Sequence, residues 1–271
     1  MSGKWLMFCL LFTSASLLNA QDSLAWHFYG EIPIASNDTW SVDVLENVYV
    51  VSDKNLTKYD STMKVSFTQS IKSLGRLSAC KPMNTMKVIA FSEEQQTVCV
   101  LDNTLTLSEA CIDLSLFEVL NATQMAVSSQ PDKLWVFDQL NSRLLLLSLG
   151  SVKQSQEVGN LQGITGIGTI VKMEENQNEL YISDRLGQIF VFDVYGTLKW
   201  TVSKSELTDF TVRDGYLIRI VGDKIVIHKG EEEKLDPRNL PTVGIKEIQI
   251  SSGFYYFRTA DKILKYSVYW R

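Results

Sequence analysis

Few side chains in this chain have the types and spacing for chemistry. There are only two histidines, His27 and His228, so an imidazole base or metal ligand would have to use one of them. Both lie in strand-forming runs (AWHFY and KIVIHK), where a surface or packed histidine is the plainer expectation. Gly163-x-x-Gly166-x-Gly168 has the wrong spacing for a dinucleotide loop and leads into a strand-like run, not a helix. No GxSxG nucleophile elbow is present. Past the first residues the cysteines are Cys80, Cys99 and Cys111, an odd number whose spacing matches no zinc pattern. Cys99 (TVCVLD) and Cys111 (EACIDL) fall in neighbouring strands and can pair, leaving Cys80 free. The simpler expectation is three small buried hydrophobes.

Composition narrows the classes further. The 271 residues are 45% hydrophobic, with a net charge of −5 and a pI near 5.2. That balance, with no run of Lys and Arg, argues against a nucleic-acid surface. The run Glu231-Glu232-Glu233 reads as a solvated loop tip. Lys4, the apolar stretch Trp5 to Leu18 and the small Ala20 before Gln21 read as a secretory signal peptide over residues 1–20. Cys9 lacks the small preceding residues of a lipid-anchor site, and no later stretch is apolar enough to span a bilayer. The expectation is an exported chain, periplasmic or extracellular, with one domain over residues 21–271.

The elements that must position any site repeat. The clearest copy is Leu180 to Thr201: a strand to Ile182, a turn at Ser183–Gly187, a strand to Asp193, a turn at Tyr195–Thr197 and a third strand. Apolar residues on both faces demand neighbours on both sides. Comparable second-strand positions recur near Tyr49, Ile89, Trp135, Tyr181, Leu217 and Tyr255, roughly forty residues apart, the period of a four-stranded propeller blade. The last unit is one strand short, and Trp26–Tyr29 is a strand without a partner. Pairing it with Lys262–Trp270 completes the sixth blade. The expected fold is all-β: a six-bladed β-propeller of four-stranded antiparallel blades, closed by the N-terminal strand. An open sandwich is the rival. In the fifth unit no fourth strand is visible, because Glu231 to Pro241 holds two prolines and no alternation.

The reference stretch resembles an NHL-type repeat, as in YncE-like six-bladed propellers. Tyr181-Ile182-Ser183-Asp184, Ile189-Phe190-Val191-Phe192-Asp193 and Gly196 fill its places. Units one and three match more loosely, and the others match in rhythm alone. The leader ending Ala20-Gln21 resembles those of exported Bacteroidota-type proteins. The resemblance implies a propeller and no particular function. Lactonase-like propellers bind a cation in the central channel through Glu, Asn and Asp. Here Asp43, Asp209 and Glu247 fall in predicted innermost strands, with structural roles the plainer expectation. Asp53, Asp138 and Asp184 read as turn residues that accept from backbone two residues on. Trp40, Trp135, Trp200, Trp270, Tyr255 and Tyr256 suit packing between blades, with a glycan- or peptide-binding face as the alternative. Asn37, Asn55 and Asn121 head sequons. No catalytic, metal or cofactor residue is assigned. The expected function is a non-catalytic exported scaffold that binds a cell-envelope protein; the alternatives are a metal-dependent lactonase or hydrolase, or a carbohydrate binder.

Overall fold

The computed structural model describes residues 25–52, 55–70, 74–150, 153–202 and 207–269. The expected leader, Asp53 and Trp270 lie outside them. The described residues form six four-stranded antiparallel sheets arranged as a β-propeller. The chain enters on β1 (Ala25–Pro33) and then builds blade one from β2 (Thr39–Val42), β3 (Val48–Ser52), β4 (Asn55–Tyr59) and β5 (Val65–Ser70). Blade two is β6 (Ala79–Pro82), β7 (Lys87–Ser92), β8 (Thr97–Asp102) and β9 (Ile112–Asp113). Blade three is β10 (Ala122–Val127), β11 (Lys133–Asp138), β12 (Arg143–Ser148) and β13 (Lys153–Val158). Blade four is β14 (Ile170–Asn176), β15 (Glu179–Asp184), β16 (Ile189–Asp193) and β17 (Leu198–Val202). Blade five is β18 (Leu207–Arg213), β19 (Tyr216–Val221), β20 (Lys224–Lys229) and β21 (Glu232–Asn239). Blade six is β22 (Glu247–Ser251), β23 (Phe254–Arg258) and β24 (Lys262–Tyr269), with β1 as its outer strand, as expected. Among the described residues, no helix is long and apolar enough to cross a membrane.

Period-two alternation makes each blade two-faced, and the core lies between blades. Leu180, Ile182, Phe190 and Phe192 pack on Trp135, Phe137, Leu144 and Leu146 of blade three. From the opposite face of the same strands, Tyr181, Ile189 and Val191 pack on Phe210, Val212 and Leu217 of blade five. All of these are buried. Recurrent aspartates close the hairpins. Asp60, Asp102 and Asp193 each follow or end a third strand, and each Oδ1 accepts from the backbone N–H groups two and four residues on, at 2.8–3.1 Å. Asp184 does the same in the second turn of blade four, at 2.9 and 3.0 Å. Asp138 departs from the expected turn role. It accepts from Leu120 and Asn121 N–H of the preceding connection, and from Asn141 and Arg143. Burial works against its charge, but these donors together hold its carboxyl below the usual range.

Gly196 sits at φ +78°, and a Cβ there would lie 2.1 Å from Val158 Cγ2. Glycine is therefore required both by the turn and by its approach to blade three.

Blade five does have its fourth strand. β21 runs through Pro237, with a register shift opposite Lys224–Val226. Proline is tolerated there because the strand is outermost, with one edge free of ladder bonds. Blade two is the weak one, since β9 has only two residues. There Cys99 and Cys111 form a disulfide, with Cα atoms 4.3 Å apart, which ties the segment before β9 to β8. The expectation of three unpaired cysteines holds only for buried Cys80, whose thiol burial pushes well above the usual range. Reduction of the disulfide is expected to cost about 3 kcal/mol, the chain-entropy value for a loop of this order. That corresponds to a melting midpoint about 5–10 °C lower. Thermal melts with and without a reductant that reaches the bond check this; coincident melts with the thiols shown free would refute it.

Candidate functional site: the central channel

The six innermost strands, β2, β6, β10, β14, β18 and β22, line a central channel. Side chains on one face of each join the inter-blade cores, and those at the axis are largely polar. Near the starts of these strands the channel opens into a cavity of about 470 Å³ lined from all six. A narrower space of about 190 Å³ follows, again lined from all six. A third, of about 110 Å³, lies at the strand ends, beside Asp43 and Arg213. Lys81 and Gln249 line both of the first two spaces and so mark the waist between them.

Side chains carry hydrogen bonds between neighbouring inner strands. Lys172 of β14 reaches Asp209 of β18 at 2.9 and 3.1 Å and Glu174 at 3.1 Å, and donates to Phe210 O. Glu174 accepts from Val212 N–H at 2.9 Å. Asp209 accepts from Ile248 N–H of β22 at 2.8 Å. Gln249 accepts from Val42 N–H and donates to Trp40 O, joining blade six to blade one. Glu247 accepts from Trp40 Nε1 at 2.5 Å and from Arg258 at 2.6 Å. Burial pushes the Asp209 carboxyl up to about 6, although Lys172 and the Ile248 N–H pull it down. Burial also works against the Lys172 charge, but Asp209 and Glu174 outweigh it and hold the ammonium above its usual range.

The three carboxylates singled out in the sequence are not brought together. Asp209 and Glu247 line the large cavity, whereas Asp43 sits at the opposite mouth. Asp43 is occupied by Leu45 and Asn47 N–H, the Asn47 amide and the Tyr49 hydroxyl. No group of three or more potential metal ligands is gathered among the described residues. His27 is exposed on β1 and meets Tyr29 edge-on at 4.8 Å. His228 is buried in blade five, where Nε2 accepts from Arg219 Nε at 3.0 Å; burial, then Arg219, lowers its pKa and keeps it neutral. The aromatics pack between blades. Trp40, Trp135 and Tyr256 are buried, and Trp135 Nε1 donates to Glu175 at 2.5 Å. Trp200 meets Tyr181 edge-on at 6.3 Å, and Tyr255 stacks on Phe257. Asn55 is exposed, Asn37 is exposed and Asn121 is half-buried.

Sequence reasoning missed Lys81, Lys172, Arg185 and Arg258, all of which line the large cavity. For the two lysines the available signal was a charge within an inner strand, as in ACKP and IVKME; Arg185, in a turn, and Arg258, at the end of a second strand, carried no such signal.

One face of the ring stands out. Connections between blades and the turns between second and third strands all lie on the face where the inner strands start. There Leu116, Leu120, Leu140, Ile164 and Leu186 are each 59–68% exposed. Their loops are stitched edge to edge: Gln139 N–H to Asn121 O at 2.8 Å, Leu161 N–H to Ser142 O at 2.9 Å and Arg185 N–H to Thr169 O at 2.8 Å. Ile164 rides on the short helix α1 (Leu161–Thr165) and Leu116 on a 3-10 turn.

No family model and no curated protein matches the chain. Solved structures do match in fold. The Pan2 WD40 domain of Neurospora crassa superposes with a TM-score of 0.61 at 9% identity, covering 89% of this chain and 95% of that one. The β-propeller domain of Cps50 (Swd1) from Myceliophteria thermophila gives 0.61 at 11% identity, covering 90% and 100%. BBS1N, solved in complex with ARL6DN, gives 0.56 at 8% identity, covering 84% and 76%. At such identities the similarity shows the fold alone: this chain is a six-bladed β-propeller.

Proposed function

We propose that this protein is a non-catalytic exported scaffold that binds another protein of the cell envelope through the face where the inner strands start. The observation that carries the reading is the row of Leu116, Leu120, Leu140, Ile164 and Leu186 on hydrogen-bonded neighbouring loops of that face. Loops held by a rigid ring are where binding residues concentrate, and apolar side chains clustered on one surface mark interaction sites. The Cys99–Cys111 disulfide fits an oxidising compartment, and the leader read in residues 1–20 supplies the route there. The NHL-type repeat at Tyr181–Gly196 is compatible with the same reading.

The test is an affinity capture from envelope extracts with the wild-type chain and with Leu140→Glu/Ile164→Glu. Each side chain, if buried by a partner, contributes about 1.5–3 kcal/mol, so the pair should weaken capture by about 100-fold or more. Substitution at exposed loop positions should leave the melting midpoint nearly unchanged. A wild-type chain that retains nothing above background, or a variant that retains the same protein equally well, rejects the proposal.

A further inference from the structure

The channel holds an amine that the scaffold reading does not use. Lys81, on β6, lines both the 470 Å³ cavity and the narrower space beyond it. It is not fully exposed, yet it has no hydrogen-bond or ion-pair partner among the described residues. The charges that surround it come from three blades: Lys172 and Glu174 on β14 with Asp184 and Arg185 at the end of β15 and the turn after it, Asp209 on β18, and Glu247 on β22 with Arg258 behind it. The acids among them are already engaged. Asp209 and Glu174 hold Lys172, Glu247 holds Arg258, and Asp184 accepts from its own turn. That leaves the Lys81 amine at the waist and the exposed Arg185 guanidinium at the mouth of the same cavity.

We propose that the Lys81 amine captures a small aldehyde or ketone carrying a carboxylate, forming an imine with the carbonyl carbon while Arg185 holds the carboxylate. A cavity of about 470 Å³ suits a small ligand. The amine must be unprotonated to attack, and enclosure favours that. Burial lowers the Lys81 pKa, with Lys172 adding to the effect, while Glu174, Asp209 and Glu247 oppose it. In the step, nitrogen attacks the carbonyl carbon, and a proton passes from nitrogen to oxygen to give the carbinolamine. Protonation of that hydroxyl then expels water and leaves a C=N bond. No oxidant or reductant is consumed. Solvent that reaches the open cavity supplies that proton and takes up the one that nitrogen loses as the C=N bond forms. The mouth of this cavity opens on the same face as the protein-binding row, but the capture step uses none of the exposed leucines or Ile164, so its test stands apart from that of the scaffold reading.

The experiment is reductive trapping. The purified full chain is incubated near pH 6.5 with succinic semialdehyde and sodium cyanoborohydride, in parallel with butanal, and modified lysines are mapped by peptide mass spectrometry. Cyanoborohydride reduces the imine to a stable secondary amine. Expected is labelling of Lys81 about tenfold or more faster than the other lysines, because the cavity holds the aldehyde beside an amine whose free form is favoured by burial. Labelling by the carboxylate-bearing aldehyde should exceed that by butanal, and Arg185→Gln should erase the difference. Lys81→Arg, which keeps a long basic side chain but has no amine able to form an imine, should remove that adduct alone. Labelling spread evenly over surface lysines overturns the proposal, as does an unlabelled Lys81. Equal labelling by the two aldehydes overturns the carboxylate and Arg185. The wild-type map decides the role of Lys81 even if a variant fails to fold.

Discussion

Deleting residues 25–33 is expected to abolish soluble monomeric protein, because β1 closes the ring. It pairs with β24 from Ala25↔Tyr269 to Pro33↔Lys262, with one irregularity between Phe28 and Gly30. Ile32 is fully buried. Trp26 meets Tyr255, Phe257 and Tyr266 edge-on, with centroids 5.0, 5.4 and 6.1 Å away. Its Nε1 donates to Asn239 O at 2.7 Å, and the Arg238 guanidinium lies 4.7 Å from its ring. Trp26 thus ties the closing strand to blade five as well as to blade six. Each of these two apolar side chains contributes about 1.5–3 kcal/mol, and their loss is the smaller part of the effect. Deletion also leaves β24 as an unpaired edge, a template for aggregation. Size-exclusion chromatography of the truncated chain should show aggregates or no soluble product. The milder Trp26→Ala should fold, with stability lower by about 2–4 kcal/mol, at the lower end of large-to-small costs because Trp26 is only partly enclosed. Its midpoint should fall by about 5–15 °C. A monodisperse truncated monomer, or a Trp26→Ala midpoint within about 2 °C of wild type, would show that closure does not depend on this strand.

The ring was legible in the sequence because its signals are local. Alternation on both faces of Tyr181–Asp193, an aspartate at the end of third strands and a period near forty residues each report backbone geometry. The leftover strand at Trp26–Tyr29 and the short last blade gave the closure by counting. β21 was not legible because Pro237 argues against a strand in general, while its tolerance depends on being outermost, a tertiary fact. The Cys99–Cys111 pair was left open because strand neighbours place two thiols close without fixing their side-chain directions. The channel was the least legible part. Lys172 and Asp209 are 37 residues apart, and their pairing depends on which face of each inner strand meets the axis. A lysine in a strand ordinarily reads as solvent-facing; here the solvent is a narrow internal space, so the same alternation carries a different meaning. Asp138 shows a related failure, since a turn aspartate reads as local until the neighbouring connection arrives to use it.

Lys172→Met is expected to cost about 3–5 kcal/mol at pH 7.5, the range for removing one partner of an enclosed ion pair. Lys172 is the shared counter-charge of Asp209 and Glu174, and it also caps Phe210 O. Without it, two carboxylates face each other in the channel wall with their attraction gone and their burial unchanged. The midpoint should fall by about 6–20 °C. The pH dependence identifies the cause. In the intact protein the Asp209 carboxyl stands at about 6 against an ordinary 3.8, so the native state holds this proton more tightly than the unfolded chain does. Its contribution is fully present below pH 3.8 and is lost as pH rises through about 6, by about 3 kcal/mol for a shift of this order. Removing Lys172 takes away the main attraction that pulls this carboxyl down, so it rises further and the loss by pH 7.5 deepens. The deficit of Lys172→Met should therefore shrink markedly between pH 7.5 and pH 5. Adding Asp209→Asn removes one of the stranded charges while keeping an oxygen for Ile248 N–H, and the double variant should be more stable than Lys172→Met at pH 7.5. Chemical denaturation of the three proteins at both pH values measures this directly. Losses that simply add, or a deficit unchanged by pH, would mean that Lys172 stabilises the wall by packing on Phe210, whose ring lies 5.1 Å from its ammonium, and not by balancing charge.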